Sequence, residues 1–147
     1  LTHFHFHNQM ITIIRSLGLH HAERTPCGQP LSISEAHTIM ELHKKKRLTQ
    51  TELTQILQLE KSSVSRLLQQ LERKGWLERE ASASDQRVKL LKLSEKGENV
   101  AHRLDQSRKE KFDRIAANIP EEKLEQVVES MNILIRAIDE ENKKGDI

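Results

Sequence analysis

Ser62, Ser63, Ser65, Arg66, Gln69 and Arg73 stand close together in the chain, and all carry hydrogen-bond donors. At about 100° per residue, Ser62, Arg66, Gln69 and Arg73 share one side of a helix, with Ser63 and Ser65 on its flanks. An arginine there can present two parallel N–H donors to the O6 and N7 atoms of a guanine. Serine and glutamine bond either bases or phosphates. Small hydroxyl residues at a helix start admit a phosphate, and the N-terminus itself favours an anion. A solvated helix face would carry the same residue types, so the surroundings decide. Further on come Asp85, Arg87 and Lys89. An arginine at a loop tip suits a narrow minor groove, where negative potential is concentrated. Asp85 can hold Arg87 by a hydrogen bond, although such a pair is also an ordinary surface ion pair, worth about 0–1 kcal/mol.

The elements that must position these groups are legible on either side. Thr49-Gln50-Thr51-Glu52 fits a capping box, and Leu53, Ile56 and Leu57 give the short helix after it one apolar face. Gln58-Leu59-Glu60 has the length of a helix-turn-helix turn, without the glycine common there. The reading helix is expected over residues 61–74, with Val64, Leu67, Leu68 and Leu71 as its buried stripe and Gly75 at its C-cap. Trp76–Glu80 alternates as a half-buried strand does, Val88–Leu93 is a second strand, and Ala81–Arg87 forms the loop between them. Two helices, a tight turn and a basic hairpin make a winged helix-turn-helix, so the expected partner is double-stranded DNA.

Charge supports this placement. Residues 44–92 hold 12 Lys or Arg against 6 Asp or Glu, a balance of +6, whereas residues 1–43 sum to −1 and residues 93–147 to −3. Positive charge gathered on one segment is the footprint of a nucleic-acid surface. Lys44-Lys45-Lys46-Arg47 opens that segment, either on phosphate or as a solvated helix end. With three Phe, one Trp and no Tyr, stacking on single-stranded bases is not the expected mode. The single cysteine, Cys27, rules out an internal disulfide. Without a signal peptide or a long apolar run, the chain reads as cytoplasmic, with no membrane partner.

The remaining helices look built for association. A first helix is expected over residues 6–23, with Phe6, Met10, Ile13, Ile14 and Leu17 on one face and Gly18 weakening its second half. A Pro- and Gly-containing loop over residues 24–30 leads to a capping box, Ser32-Ile33-Ser34-Glu35. It opens a helix to about Lys45, with Ile33, Ala36, Ile39, Met40 and Leu42 as its apolar positions. Ser94 can cap a long helix to about Asn118, whose residues 105–111 carry no apolar side chain. Pro120 suits the first position of a last helix. Leu124, Val127, Val128, Met131, Leu134, Ile135 and Ile138 make that helix amphipathic. A second copy of the chain is the simplest cover for these faces. A two-fold dimer would set two reading helices one DNA turn apart, about 34–36 Å.

The ordered set of motifs resembles the MarR family of bacterial transcription regulators. Leu48–Leu53, Ser62–Leu68, Leu71–Leu77, Asp85-Gln86-Arg87 and Leu93–Gly97 match in order and spacing over about residues 31–100. The resemblance implies a mainly α fold with a small β-hairpin. Residues 31–93 would form the DNA-binding lobe, and 1–30 and 94–147 the dimerisation helices, in one domain spanning 1–147. It implies a homodimeric repressor on a pseudo-palindromic operator. Ser62, Ser63, Ser65 and Arg66 would enter the major groove, and Arg87, oriented by Asp85, the minor groove. Gln86 stands where the family commonly has arginine, which removes one charge from the wing. Release by a small molecule, an oxidant or a metal is common in the family, with the ligand pocket between the DNA-binding lobe and the dimerisation helices. No residue here identifies the effector.

Two sensing alternatives remain open. Cys27, Glu35, His37, Glu41, His43 and His102 are of metal-binding type, and His3, His5, His7, His20 and His21 crowd the N-terminal part. A tetrahedral site needs three or four convergent ligands, and no histidine pair is read here as i, i+4 on one helix. Cys27 as an oxidant sensor would need a lowered pKa, and the tyrosines that accompany such cysteines in the family are absent. No phosphate-binding glycine loop or nucleophile–base constellation is present, so an enzyme is not expected, nor is a cofactor. A winged helix serving only protein contacts should lack the basic wing and the exposed Arg66 and Arg73.

Overall fold

The computed structural model describes residues 2–145, and the side chains of all of these except Thr2 and Phe4. Both capping boxes form. The Ser32 hydroxyl accepts from the Glu35 backbone N–H while the Glu35 carboxylate accepts from that of Ser32, which opens α2, Ile33–Lys45. Thr49 and Glu52 do the same for α3, Gln50–Leu57. Each box satisfies two N–H groups that a helix start otherwise leaves unpaired. Gln58 then takes the left-handed conformation, φ 54° and ψ 42°, and makes the tight turn without glycine. The helix expected to read DNA follows as α4, Lys61–Arg73.

Gly75 ends α4 with φ +76°, a conformation only glycine adopts freely. The Trp76 N–H donates to the Leu71 carbonyl and the Gly75 N–H to that of Glu72, the paired bonds of a Schellman motif. This reversal launches β1, Leu77–Ala81, which pairs antiparallel with β2, Lys89–Leu93, in the register Leu77 to Leu93 through Ala81 to Lys89. Leu48 adds an antiparallel bridge to Leu91, with N···O distances of 3.2 and 2.7 Å. This bridge ties the segment before α3 to the hairpin.

The first helix differs from expectation. It is α1, Thr2–Ser16 rather than 6–23. Gly18, at φ +72°, closes it with the same pair of bonds, Leu19 N–H to the Ile14 carbonyl and Gly18 N–H to that of Arg15. Gly18 therefore stops the helix rather than weakening it. After the hairpin, α5 spans Glu95–Ala117 and α6 spans Glu121–Lys144. Pro120, with ψ 130°, is the residue before α6, not its first helical position.

The chain forms two units, the first ending at Arg108 and the second beginning at Lys109. In the first, Ile39 and Leu42 of α2, Leu53 of α3, Val64, Leu68 and Leu71 of α4, Leu91 of β2 and Leu104 of α5 are almost fully buried. Burial of such a side chain stabilises by about 1.5–3 kcal/mol. Ile33 and Met40 are only half-buried, and Glu35 and Thr38 take buried places on α2. Thr38 is accommodated because its hydroxyl donates to the Ser34 carbonyl. Phe6, Ile13 and Ile14 of α1 leave an exposed apolar face in this unit. In the second unit, α6 has no buried residue, and Val128, Met131, Ile135 and Ile138 stand 42–54% exposed.

Candidate nucleic-acid interface

The packing of α4 decides which of its residues remain available. Val64, Leu67, Leu68 and Leu71 face the core, so the helical repeat turns Ser62, Arg66, Gln69 and Arg73 outward, with Ser63 and Ser65 half-exposed at the sides. Among the described residues, no ion pair engages Lys61, Arg66, Arg73 or Lys89. The root of the wing is different. Arg47 pairs with Glu80, Lys92 lies 3.1 Å from Glu80 and 3.7 Å from Glu78, and Arg79 donates to Glu72 at 2.9 Å. Positive charge is thus neutralised under the hairpin and left free on the outward face of α4, which concentrates the local potential there.

At the wing tip, Asp85 Oδ1 accepts from the Arg87 backbone N–H at 3.0 Å and meets Arg87 Nε at 3.4 Å. The Val88 N–H donates to the Asp85 carbonyl and the Ser82 N–H to that of Val88, which closes the loop. The Arg87 side chain is 93% exposed, so Asp85 sets its starting direction without covering it. A guanidinium carried beyond the body on a short hairpin has the reach that a groove contact needs.

Glu35 has a role that its residue type did not announce. It is 3% exposed, and its two oxygens divide between the Ser32 N–H at 3.0 Å and Lys74 Nζ at 2.5 Å. Lys74, the C-cap of α4, lies 4.7 Å from the centre of the Trp76 ring. One carboxylate therefore joins the start of α2 to the end of α4. Burial pushes the Glu35 carboxyl up, but the bonds from Lys74 and Ser32 and the Lys74 charge outweigh it and hold it below the usual carboxylate range. The pairing joins residues 39 apart, a separation that local patterning does not reveal.

The other metal-type candidates do not converge. The Cys27 sulfur lies 3.1 Å from the Thr25 hydroxyl. His37 is exposed on α2. His43 Nδ1 contacts Glu98 at 2.6 Å, with the His102 ring edge-on at 5.1 Å. Because α1 begins at Thr2, His3 and His7 do lie four apart on one helix, a spacing hidden while the helix was expected to begin at residue 6. Among the described residues no group of three or more His, Cys, Asp or Glu is placed to hold a metal ion.

An α2–α3–α4 arrangement with one polar face of α4 exposed and a two-stranded wing is the winged helix-turn-helix. Residues 29–88 match the sequence model of the MarR family. The whole fold is similar to Streptococcus pneumoniae FabT, solved in complex with DNA: 24% identity over 95% of this chain and 94% of that one, TM-score 0.70. MepR, a transcription regulator of the Staphylococcus aureus multidrug efflux pump MepA, is 26% identical over 73% of this chain and 79% of its own, TM-score 0.59. A mutant form of MarR from E. coli, solved with operator DNA, is 20% identical over 74% of this chain and 75% of its own, TM-score 0.61. The segment 29–88 therefore carries a MarR-family match, and the chain shares the winged helix-turn-helix fold of these transcription regulators. Among the described residues, no helix is long and apolar enough to cross a membrane.

Proposed function

We propose that the chain is a sequence-specific DNA-binding repressor, working in the cytoplasm as a homodimer on a pseudo-palindromic operator. The observation that carries this reading is the outward face of α4, whose Arg66 and Arg73 make no ion pair among the described residues, together with the exposed wing arginine. Arg66 and the serines read base edges in the major groove, with Gln69 and Arg73 along the same face. Arg87, steered by Asp85, enters the minor groove, and Lys89 meets phosphate. Residues 31–93 form the reading lobe, and residues 1–30 and 94–147 hold the two copies together. The exposed apolar faces of α1 and of α6 support that division, since contiguous apolar surface on a small protein marks an interaction site. Binding, not catalysis, is the activity.

Release by a small-molecule effector completes the reading. A cleft of about 510 Å³ between α2 and α5, lined in part by Met40, His43, Lys44, Ala101 and Arg108, has the size that small ligands occupy. Selection of bound duplexes from a random library tests the proposal. The expected product is an inverted repeat with half-sites one helical turn apart, and recovery of unrelated sequences refutes it. Repeating the binding with candidate small organic ligands tests release.

A further inference from the structure

We infer that Gln50 is a positioning residue that turns the Ser65 hydroxyl into a hydrogen-bond donor toward DNA. This rests on the DNA-reading role of α4. Arg79 of β1 places Nε 2.9 Å from Glu72 Oε1, and its Nη1 lies 3.4 Å from Gln50 Oε1. A guanidinium only donates, so the atom of Gln50 facing it is the carbonyl oxygen. That leaves the amide nitrogen toward α4, where Nε2 lies 3.4 Å from Ser65 Oγ. An amide nitrogen also only donates, so Ser65 Oγ accepts and its own proton points elsewhere. The Thr38 and Thr54 hydroxyls donate to the carbonyl four residues back, at 2.8 and 2.7 Å, and have spent their protons. Ser65 is half-exposed at the side of the outward face, and its proton is not spent in this way. The chain Glu72–Arg79–Gln50–Ser65 thus links α4, β1 and α3, and it presents one oriented O–H to an acceptor. That acceptor is a base-edge atom such as guanine N7 or O6, adenine N7 or thymine O4, or else a phosphate oxygen.

Gln50→Met, Ser65→Ala and the double variant, made in the full chain, are titrated against a duplex selected by the wild type. Each single variant weakens binding about three- to tenfold, and the double variant loses no more than the larger single loss. Multiplying losses overturn the inference, because two residues that act through one hydroxyl cannot each remove it. Should Gln50→Met melt well below the wild type, Gln50→Glu supplies a second route. It keeps the length, draws the Ser65 proton back, and should lose what Ser65→Ala loses, either preference at one base pair or affinity uniformly; wild-type affinity together with wild-type preference overturns the inference. A base-edge acceptor shows as relaxed preference at one base pair. A phosphate acceptor shows as uniform weakening across sequences with the salt slope unchanged, because no charge is lost. A wild type that selects no duplex at all removes the DNA-reading role itself, a result separate from additivity between the variants.

Discussion

Gly97→Ala is the most demanding test of the way the wing is mounted. Gly97 lies in the first turn of α5, where its backbone N–H donates to the Ser94 hydroxyl at 3.0 Å. A Cβ added there would lie 2.1 Å from the Trp76 carbonyl oxygen and 3.0 Å from its carbon. Real Cβ atoms do not approach below 3.0 Å, so α5 and the wing root must separate by about 0.9 Å. The same Trp76 oxygen accepts the Ser94 N–H at 3.0 Å, so the movement strains that bond as well. Neither neighbour can yield by rotating a side chain, because the obstacle is backbone. Overpacking of this kind costs about 1–3 kcal/mol, and alanine regains at most about 1 kcal/mol of helix propensity. A net loss of about 1–2 kcal/mol corresponds to a melting temperature lower by about 3–10 °C. Thermal unfolding followed by circular dichroism measures it. DNA affinity should fall with it, because Arg87 is carried on the displaced hairpin. A Gly97→Ala variant as stable as the wild type would refute the close approach of α5 to the wing root.

Further expectations concern the sites themselves. Arg66→Ala should relax base preference at one operator position, at about 1–3 kcal/mol per lost bidentate contact, read by competition between variant duplexes. Arg87→Ala should weaken binding and reduce its salt dependence, and an unchanged affinity would exclude a groove-inserted wing. Glu35→Gln should destabilise the fold by about 1–3 kcal/mol at neutral pH, since it leaves Lys74 beside a neutral amide. The folded-state pKa of Glu35 is lowered, so its contribution is fully present above the unfolded value and lost as pH falls through the folded one. The gap in melting temperature between wild type and Glu35→Gln should therefore begin to narrow as pH falls through the ordinary carboxylate range and close only at more acid pH. Met131→Glu, which places charge in the exposed stripe of α6, should shift the protein toward monomer in analytical ultracentrifugation; an unchanged assembly would show that this face is not the interface.

Local chemistry made much of this fold legible. The two capping boxes, the stripe Val64, Leu67, Leu68 and Leu71, and Gly75 each announce a structure within a few residues. Boundaries were less legible where one residue type serves two ends. Gly18 interrupts an apolar pattern that continues beyond it, and only its left-handed backbone turns interruption into termination. The N-terminal start of α1 is not legible in sequence because Phe and His alternate there, which masks the helical period. The reading face of α4 was visible, because its hydroxyl and arginine positions follow from the helical repeat. What positions that face was not. Glu35 with Lys74, Gln50 with Arg79, and Leu48 with Leu91 are contacts between residues 29–43 apart in sequence, and no periodicity encodes them. The carboxylate of Glu35 has the chemistry of a metal ligand and of a buried ion-pair partner alike, and only its contact with Lys74 separates the two.

If the outward face of α4 and the wing read DNA sequence, the protein must tell one duplex from another. The most direct measurement is the affinity of the full chain for a duplex it has selected, set against a scrambled duplex of equal length and composition at physiological salt. The predicted result is at least about a thousandfold preference for the selected duplex. Equal affinity for the two would contradict it.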